Sequence, residues 1–140
     1  MAYKFLPHTA DAMFEVKAKT IQQVFVDSAK ALNAVQVKLN TLSKKIKKEI
    51  KLEADDLETL LYNFLQELVF LKDAEQLLFK DFDVKIEEKE KKYFLHAFCY
   101  GDKINIKKQI LLADVKAVTL ENFRLWQEKG FWKATVIVDV

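Results

Sequence analysis

The sequence predicts an α+β fold, with two main helices packed on a mostly antiparallel β-sheet. Three observations predict it. Two stretches of the first half carry apolar residues at helical spacing behind recognisable N-caps. The second half changes to short alternating or apolar runs of strand length. Only two glycines and one proline punctuate the 140 residues, so regular elements fill most of the chain. A chain of this length makes one domain, residues 1–140, because two halves would each bury too little apolar surface.

Residues 13–17 mix apolar and charged side chains and read as a short strand. Thr20 and Gln23 have the spacing of a capping box, in which Thr20 accepts the Gln23 amide hydrogen and Gln23 reaches back. Ile21, Val24, Phe25, Ser28 and Leu32 then repeat at helical spacing, which carries the first helix to Asn33. Residues 46–52 form a lysine-rich strand with Ile50 and Leu52 on one face. Asp55 followed by Glu58 marks the second helix start, its acidic first turn suiting the helix dipole. Leu57, Leu60, Leu61, Phe64, Leu65 and Leu68 make a broad apolar stripe that ends near Leu71.

Beyond it, Phe82, Val84 and Ile86 alternate with charged residues, the pattern of a half-buried strand. Residues 88–92 form a charged turn. Residues 93–100 are apolar on both faces and predict a central strand, ended by Gly101 and Asp102. Residues 115–127 and 131–138 read as two further strands joined around 128–130.

Composition excludes several functions. With 51% hydrophobic and 31% charged residues the chain is an ordinary globular one. Its 23 basic and 21 acidic residues leave a net charge of +2, which supplies no global attraction to nucleic acid or to a membrane. Residues 1–6 lack the pattern of a secretory signal. No apolar run approaches the roughly 18 residues that a membrane helix needs. Cys99 is the single cysteine, so no intrachain disulfide forms, and a reducing, cytoplasmic setting is expected. Two glycines are too few for a phosphate-cradling loop.

The candidate chemistry lies near the two ends. Asp139 and the α-carboxylate of Val140 stand one residue apart, and Asp11 closes the segment His8-Thr9-Ala10-Asp11. Chain termini of small domains often lie close together. If they do here, three carboxylates converge and repel unless a proton or cation sits among them. Oxygen-only donors suit a hard divalent ion: calcium, magnesium or manganese. A frayed, solvated terminus is the competing reading.

Lys116 alternates with Val115 and Ala117 at the entry of a strand, either as a solubilising lysine or as a cation that meets a partner or a phosphate. His96 and Cys99 sit three apart in a strand and so point to opposite faces, which argues for a buried structural cysteine. Zinc needs more Cys and His ligands than the chain offers. Lys44, Lys45, Lys47, Lys48 and Lys51 read as a solvated edge strand, since no aromatic residues interleave them. Phe64, Phe70, Phe94, Phe98 and Trp132 are assigned to the core.

His8-Thr9-Ala10-Asp11, the helix carrying Leu60-Leu61 and Glu67-Leu68, Lys116-Ala117-Val118-Thr119 and the terminal Val138-Asp139-Val140 occur in one order that resembles the archease family over essentially the whole chain. The resemblance implies a non-enzymatic helper of the RtcB-type RNA ligase, which joins RNA ends in tRNA splicing and repair using GTP and a divalent metal. It implies that the helper promotes ligase guanylylation and repeated turnover. It also implies a metal site, usually assigned to calcium, at Asp11, Asp139 and Val140, and a part for Lys116 in activation.

The chain departs from the family where Leu120-Glu121 replace Tyr-His, where Asn105 replaces an acidic residue and at Ala12-Met13-Phe14. A histidine before the lysine motif is missing as well. Two other classes compete: a small metal-dependent hydrolase, for which His8 is the one nearby base, and a chaperone-like RNA- or protein-binding module built on the lysine run.

Overall fold

Two antiparallel sheets enclose a layer of two helices. The computed structural model describes residues 3–6 and 11–140, so His8, Thr9 and Ala10 of the first motif lie outside the described residues. In chain order the elements are β1 (Tyr3–Leu6), β2 (Ala12–Ala18), α1 (Ile21–Gln36), a 3₁₀ turn (Leu39–Thr41), β3 (Ile46–Ala54), α2 (Leu57–Glu75), β4 (Leu77–Lys89), β5 (Lys92–Lys103), β6 (Ala117–Val118), β7 (Arg124–Glu128) and β8 (Phe131–Asp139). One sheet runs β1-β2-β8-β6, with β7 also paired to β8. The other runs β3-β5-β4. The α+β, antiparallel architecture is the expected one, but its strands divide between two sheets rather than forming one.

Both helices touch both sheets. α1 packs on β1, β2 and β8 of the larger sheet and on β4 of the smaller. α2 packs on β6 and β7 and on β3, β4 and β5. The main core therefore joins Phe14, Val16 and Val136 from one sheet to Phe25, Leu61 and Phe64 from the helices and to Leu95 and Cys99 from the other sheet. A helix covered on two sides needs a wide apolar face, which is why the stripe on α2 is broad. A second, small cluster of Val37, Leu42 and Leu78, with Leu39, Ile104 and Leu111 against it, lies apart from the main core.

Several boundaries move. Thr20 caps α1, accepting from the Gln23 amide at 3.1 Å. Gln23 does not reach back; its Nε2 donates to Asp27 at 2.8 Å. α1 continues to Gln36 because buried Asn33 and Gln36 find hydrogen bonds there. The N-cap of α2 is Asp56, not Asp55, accepting from the Thr59 amide at 2.7 Å. Glu58 instead accepts from the Leu125 amide. α2 runs to Glu75 and stops at Gln76, whose left-handed backbone (φ 56°) turns its N–H back to the Leu71 and Lys72 carbonyls.

β4 begins five residues before the expected Phe82, and β5 runs past Gly101 to Lys103. Between Phe79 and Asp81 the β4–β5 register slips. At that point a Cβ on Gly101 would collide with the Leu78 carbonyl, so the close approach requires glycine. The expected strand 115–127 is two short strands, β6 and β7, parted by a turn in which the Phe123 amide donates to the Leu120 carbonyl.

The smaller sheet is covered on one face only. Phe94, expected in the core, is 37% exposed on the open face, and Phe98 is half-buried there. Phe70 on α2 is 58% exposed, and Trp132 is half-buried, whereas Phe64 is fully buried as expected. β3 is the expected edge strand, with Lys48 half-buried and paired with Glu75 at 2.9 Å.

Asn33 ties the layers together: its Nδ2 donates to the Ala29 carbonyl at 2.8 Å and its Oδ1 accepts from the Phe79 amide at 3.0 Å. Asn33→Ala leaves a buried N–H of β4 without its acceptor. The expected loss is about 1–3 kcal/mol of unfolding free energy, read from the urea midpoint. An unchanged midpoint refutes this role.

Candidate functional site

Strand β8 brings the candidate residues to one place. Its last residues pair with β2 on one side and with β6 on the other: Ala12 lies opposite Val138, and Ala117 lies opposite Asp139. One step further along the first ladder is Asp11, which directly precedes β2 and is half-buried. One step further along the second is Lys116, whose amide donates to the Asp139 carbonyl at 2.7 Å. Asp11, Asp139, Val140 and Lys116 thus meet at one end of the larger sheet. Val136, Ile137 and Val138 are buried on both faces of the strand, and exposure begins at its last residue, Asp139.

The donor set suits a hard cation. Asp139's backbone carbonyl is committed to Lys116, while its side-chain carboxylate makes no hydrogen bond or ion pair among the described residues. Two aspartates at adjacent register positions supply oxygen donors alone. No group of three His, Cys, Asp or Glu side chains is placed to hold a metal among the described residues. On the same face, Thr119 donates its amide to the Ile137 carbonyl at 3.0 Å. Its Oγ1 is buried and has no partner among the described residues.

Lys116 is exposed between buried Val115 and half-buried Ala117. β6 is only two residues long, so backbone pairing alone holds this segment poorly. Side chains of both helices complete it. Gln36 of α1 accepts from the Val115 amide at 3.3 Å. Lys72 of α2 donates to the Val115 carbonyl at 2.6 Å and to Asp114 at 2.5 Å, and pairs with Asp73 at 2.7 Å. Gln66 accepts from the Val118 amide, Tyr62 donates to the Val118 carbonyl, and Gln66 donates to the Tyr62 hydroxyl, each at 3.1 Å.

These four supporting residues escaped the sequence reading. One signal for Lys72 was present: it lies four residues beyond Leu68, on the apolar stripe, where a lysine must find partners. Its side chain is 6% exposed. Burial alone would lower its pKa, but hydrogen bonds and charge from Asp114 and Asp73 outweigh that and raise it above the ordinary 10.5.

The other candidates separate. Cys99 is fully buried and burial pushes its thiol up to about 12, so it is an inert core residue. His96 lies on the opposite face of β5, 2.5 Å from Glu49, whose carboxyl it holds below the usual range. A hollow of about 380 Å³ lies on the smaller sheet and is lined by Lys51, Glu53, Lys85, Glu87, Phe94 and His96 among others. It includes none of the residues at the end of β8. No described helix is long and apolar enough to cross a membrane.

Comparison with known proteins gives one consistent result. Residues 3–140 match the profile of the Archease protein family. The archease of Pyrococcus abyssi is 40% identical over 134 residues, 95% of this chain and 94% of that protein. The archease of Methanopyrus kandleri is 34% identical over 140 residues, the full length of both. The solution structure of Methanobacterium thermoautotrophicum protein 1598 superimposes with a TM-score of 0.89 at 32% identity, covering 99% of each chain. A crystal structure from Thermotoga maritima, described as an archease and possible chaperone, shares the fold with a TM-score of 0.63 at 14% identity, covering 98% of this chain and 96% of that one.

Lys72→Met removes the cation and leaves the Val115 carbonyl without its donor. The expected loss at pH 7 is about 1–3 kcal/mol, kept below the cost of breaking a fully buried pair because Asp73 and Asp114 are exposed. A raised lysine pKa stabilises the fold below the unfolded value and loses that effect as pH rises through the folded one. The gap between wild type and Lys72→Met in urea unfolding therefore narrows above pH 10.5; a gap independent of pH counts against the charge.

Proposed function

The chain belongs to the archease family, and from that membership we propose that it is a non-enzymatic activator of an RtcB-type RNA ligase in tRNA splicing and RNA repair. One observation carries the proposal: in a chain of this family, Asp11, Asp139, Val140 and Lys116 gather at a single exposed end of the β2–β8–β6 ladder. In this reading Asp11, Asp139 and the Val140 carboxylate hold a divalent cation, calcium first, with magnesium and manganese as alternatives. Such an ion, when bound, relieves the repulsion among the carboxylates and offers remaining coordination positions to oxygen donors of a partner.

The chain's own groups do the positioning. Asp139 and Lys116 are both exposed and are joined by a backbone hydrogen bond, so one end of the sheet carries a carboxylate and an ammonium that can orient a charged partner surface. Gln36, Tyr62, Gln66 and Lys72 fix the backbone on which Lys116 stands, so little ordering is left for the moment of binding. An activator works by binding the competent form of the ligase more tightly than the stalled form, here the form able to undergo guanylylation. Contact with RNA is then indirect, through the ligase, and the setting is the cytoplasm. The site's open position favours docking over hydrolysis, because metal hydrolases work in concave, water-excluding sites with a positioned base.

The test is ligation of RNA ends by a cognate RtcB-type ligase, with RNA in large excess and GTP present. Turnover beyond one equivalent is expected only when the chain is added. Asp139→Asn and Lys116→Ala are expected to remove most of it. Calorimetric titration with calcium should show affinity falling by about tenfold or more in Asp139→Asn. Full activation by Asp139→Asn would show that the carboxylates play no part.

A further inference from the structure

The loop 104–113 displays apolar side chains that its own fold has no need to expose. Ile104 and Leu111 turn inward and complete the small second core. Ile106, Ile110 and Leu112 turn outward and are 80%, 51% and 58% exposed. Single exposed aliphatic residues are ordinary. Three within seven residues, on a backbone held in place, are not explained by disorder or by a search for cover.

The backbone is fixed at every stage. The Asn105 amide donates to the Gln109 side chain at 3.0 Å, and Gln109, itself buried, donates to the Lys103 carbonyl at 2.8 Å. The Lys107 amide donates to the Asn105 side chain at 2.9 Å, and the Lys108 amide to the Asn105 carbonyl at 3.1 Å. The Ile110 amide donates to the Thr41 hydroxyl at 3.1 Å, and the Ile110 carbonyl accepts from Lys38 at 2.9 Å. The Leu112 and Ala113 amides donate to the Gln36 and Val35 carbonyls. Leu111 bridges Val37, so Ile110 and Leu112 flank an inward residue and share the outer side.

Charge says what fits. Residues 103–113 contain Lys103, Lys107 and Lys108 and no acidic residue. Lys38, on the adjoining strap, is also exposed. Lys103 is spent on the α2 C-terminus, donating to the Glu75 carbonyl. Asp102, the neighbouring acid, is turned to Ser43 and to the Lys103 amide. What remains outward is an aliphatic tip with exposed Lys107 and Lys108 between its apolar residues in the chain and exposed Lys38 on the strap whose amide bonds the Ile110 carbonyl.

We propose that loop 104–113 is a second docking surface, which inserts Ile106, Ile110 and Leu112 into an apolar groove of a protein partner rimmed by carboxylates. Such a surface has the anatomy of an interface, an apolar centre within a charged rim, and its rigidity avoids the ordering cost of a flexible loop. The loop runs directly into Asp114 and Val115, the residues that Lys72 grips beside Lys116. Both surfaces therefore belong to one continuous, fixed segment. The partner taken as probe is the ligase, so the inference rests on the function proposed above.

The experiment measures affinity of the full chain for the purified ligase by fluorescence anisotropy at several salt concentrations. The chains compared are wild type, the triple variant I106S/I110S/L112S and the double variant K107E/K108E. All substituted side chains are exposed, so urea midpoints should match wild type. The triple variant is expected to lose about tenfold or more in affinity. The double variant is expected to bind more weakly and with a shallower salt dependence. Wild-type affinity in both variants overturns the docking surface while leaving the proposed function standing. A wild-type chain that neither binds nor activates the ligase overturns the proposed function, and the docking assignment with it. Flotation on phosphatidylglycerol-containing vesicles, lost in the triple variant while ligase affinity is unchanged, assigns the loop to an anionic membrane and overturns a protein partner.

Discussion

Everything in this fold follows from placing two helices between two sheets. A helix covered on one side has a whole face for polar residues. α1 and α2 are covered on two, so their polar residues are left with the margins of the layer, or must find partners inside it. Asn33 finds one in the β4 backbone. Gln36, Tyr62, Gln66 and Lys72 find theirs in the segment 114–118. The side chains that the helices could not bury unpaired are the ones that hold the candidate site together.

That arrangement solves a problem the larger sheet creates. β8 is flanked by β2 along its length, but on its other side it has β7 at one end and only two residues of β6 at the other. So short a pairing adds little stability by itself. Hydrogen bonds from helix side chains replace the missing ladder, and a buried ammonium contributes more than a neutral donor would. The outcome is a rigid mount for an exposed lysine next to an exposed carboxylate. Such preorganisation lowers the ordering cost of any contact made there. The nearby loop 104–113 is mounted in the same way, with side-chain amides and hydroxyls standing in for strand partners.

The sequence was most readable where the signal was local. Both helices, the Thr20 cap and the alternating strand at Phe82, Val84 and Ile86 follow from spacing within one element. Their ends were less legible, because tertiary contacts extend them: α1 continues for the sake of Gln36, and α2 stops where Gln76 turns left-handed. Residues 93–100 are apolar on both faces, and that pattern predicts burial on both. β5 is central in its sheet, yet only one face has helices against it, so Phe94 remains exposed. Phe70 misled for the same reason: an apolar residue carries no mark of which side of a helix its neighbours occupy.

By itself the sequence determined the α+β class, the two helices and an inert buried cysteine, and it nominated the residues of the candidate site. Helical and strand periodicities are short-range, and the site residues carried a family pattern. Tertiary structure alone decided that the strands form two sheets, that residues 115–127 break in two around β8, and that Gln36, Tyr62, Gln66 and Lys72 support Lys116. Those outcomes depend on which distant backbone groups remain unpaired once the helices are enclosed. That requirement arises between elements far apart in the chain, where no local spacing records it.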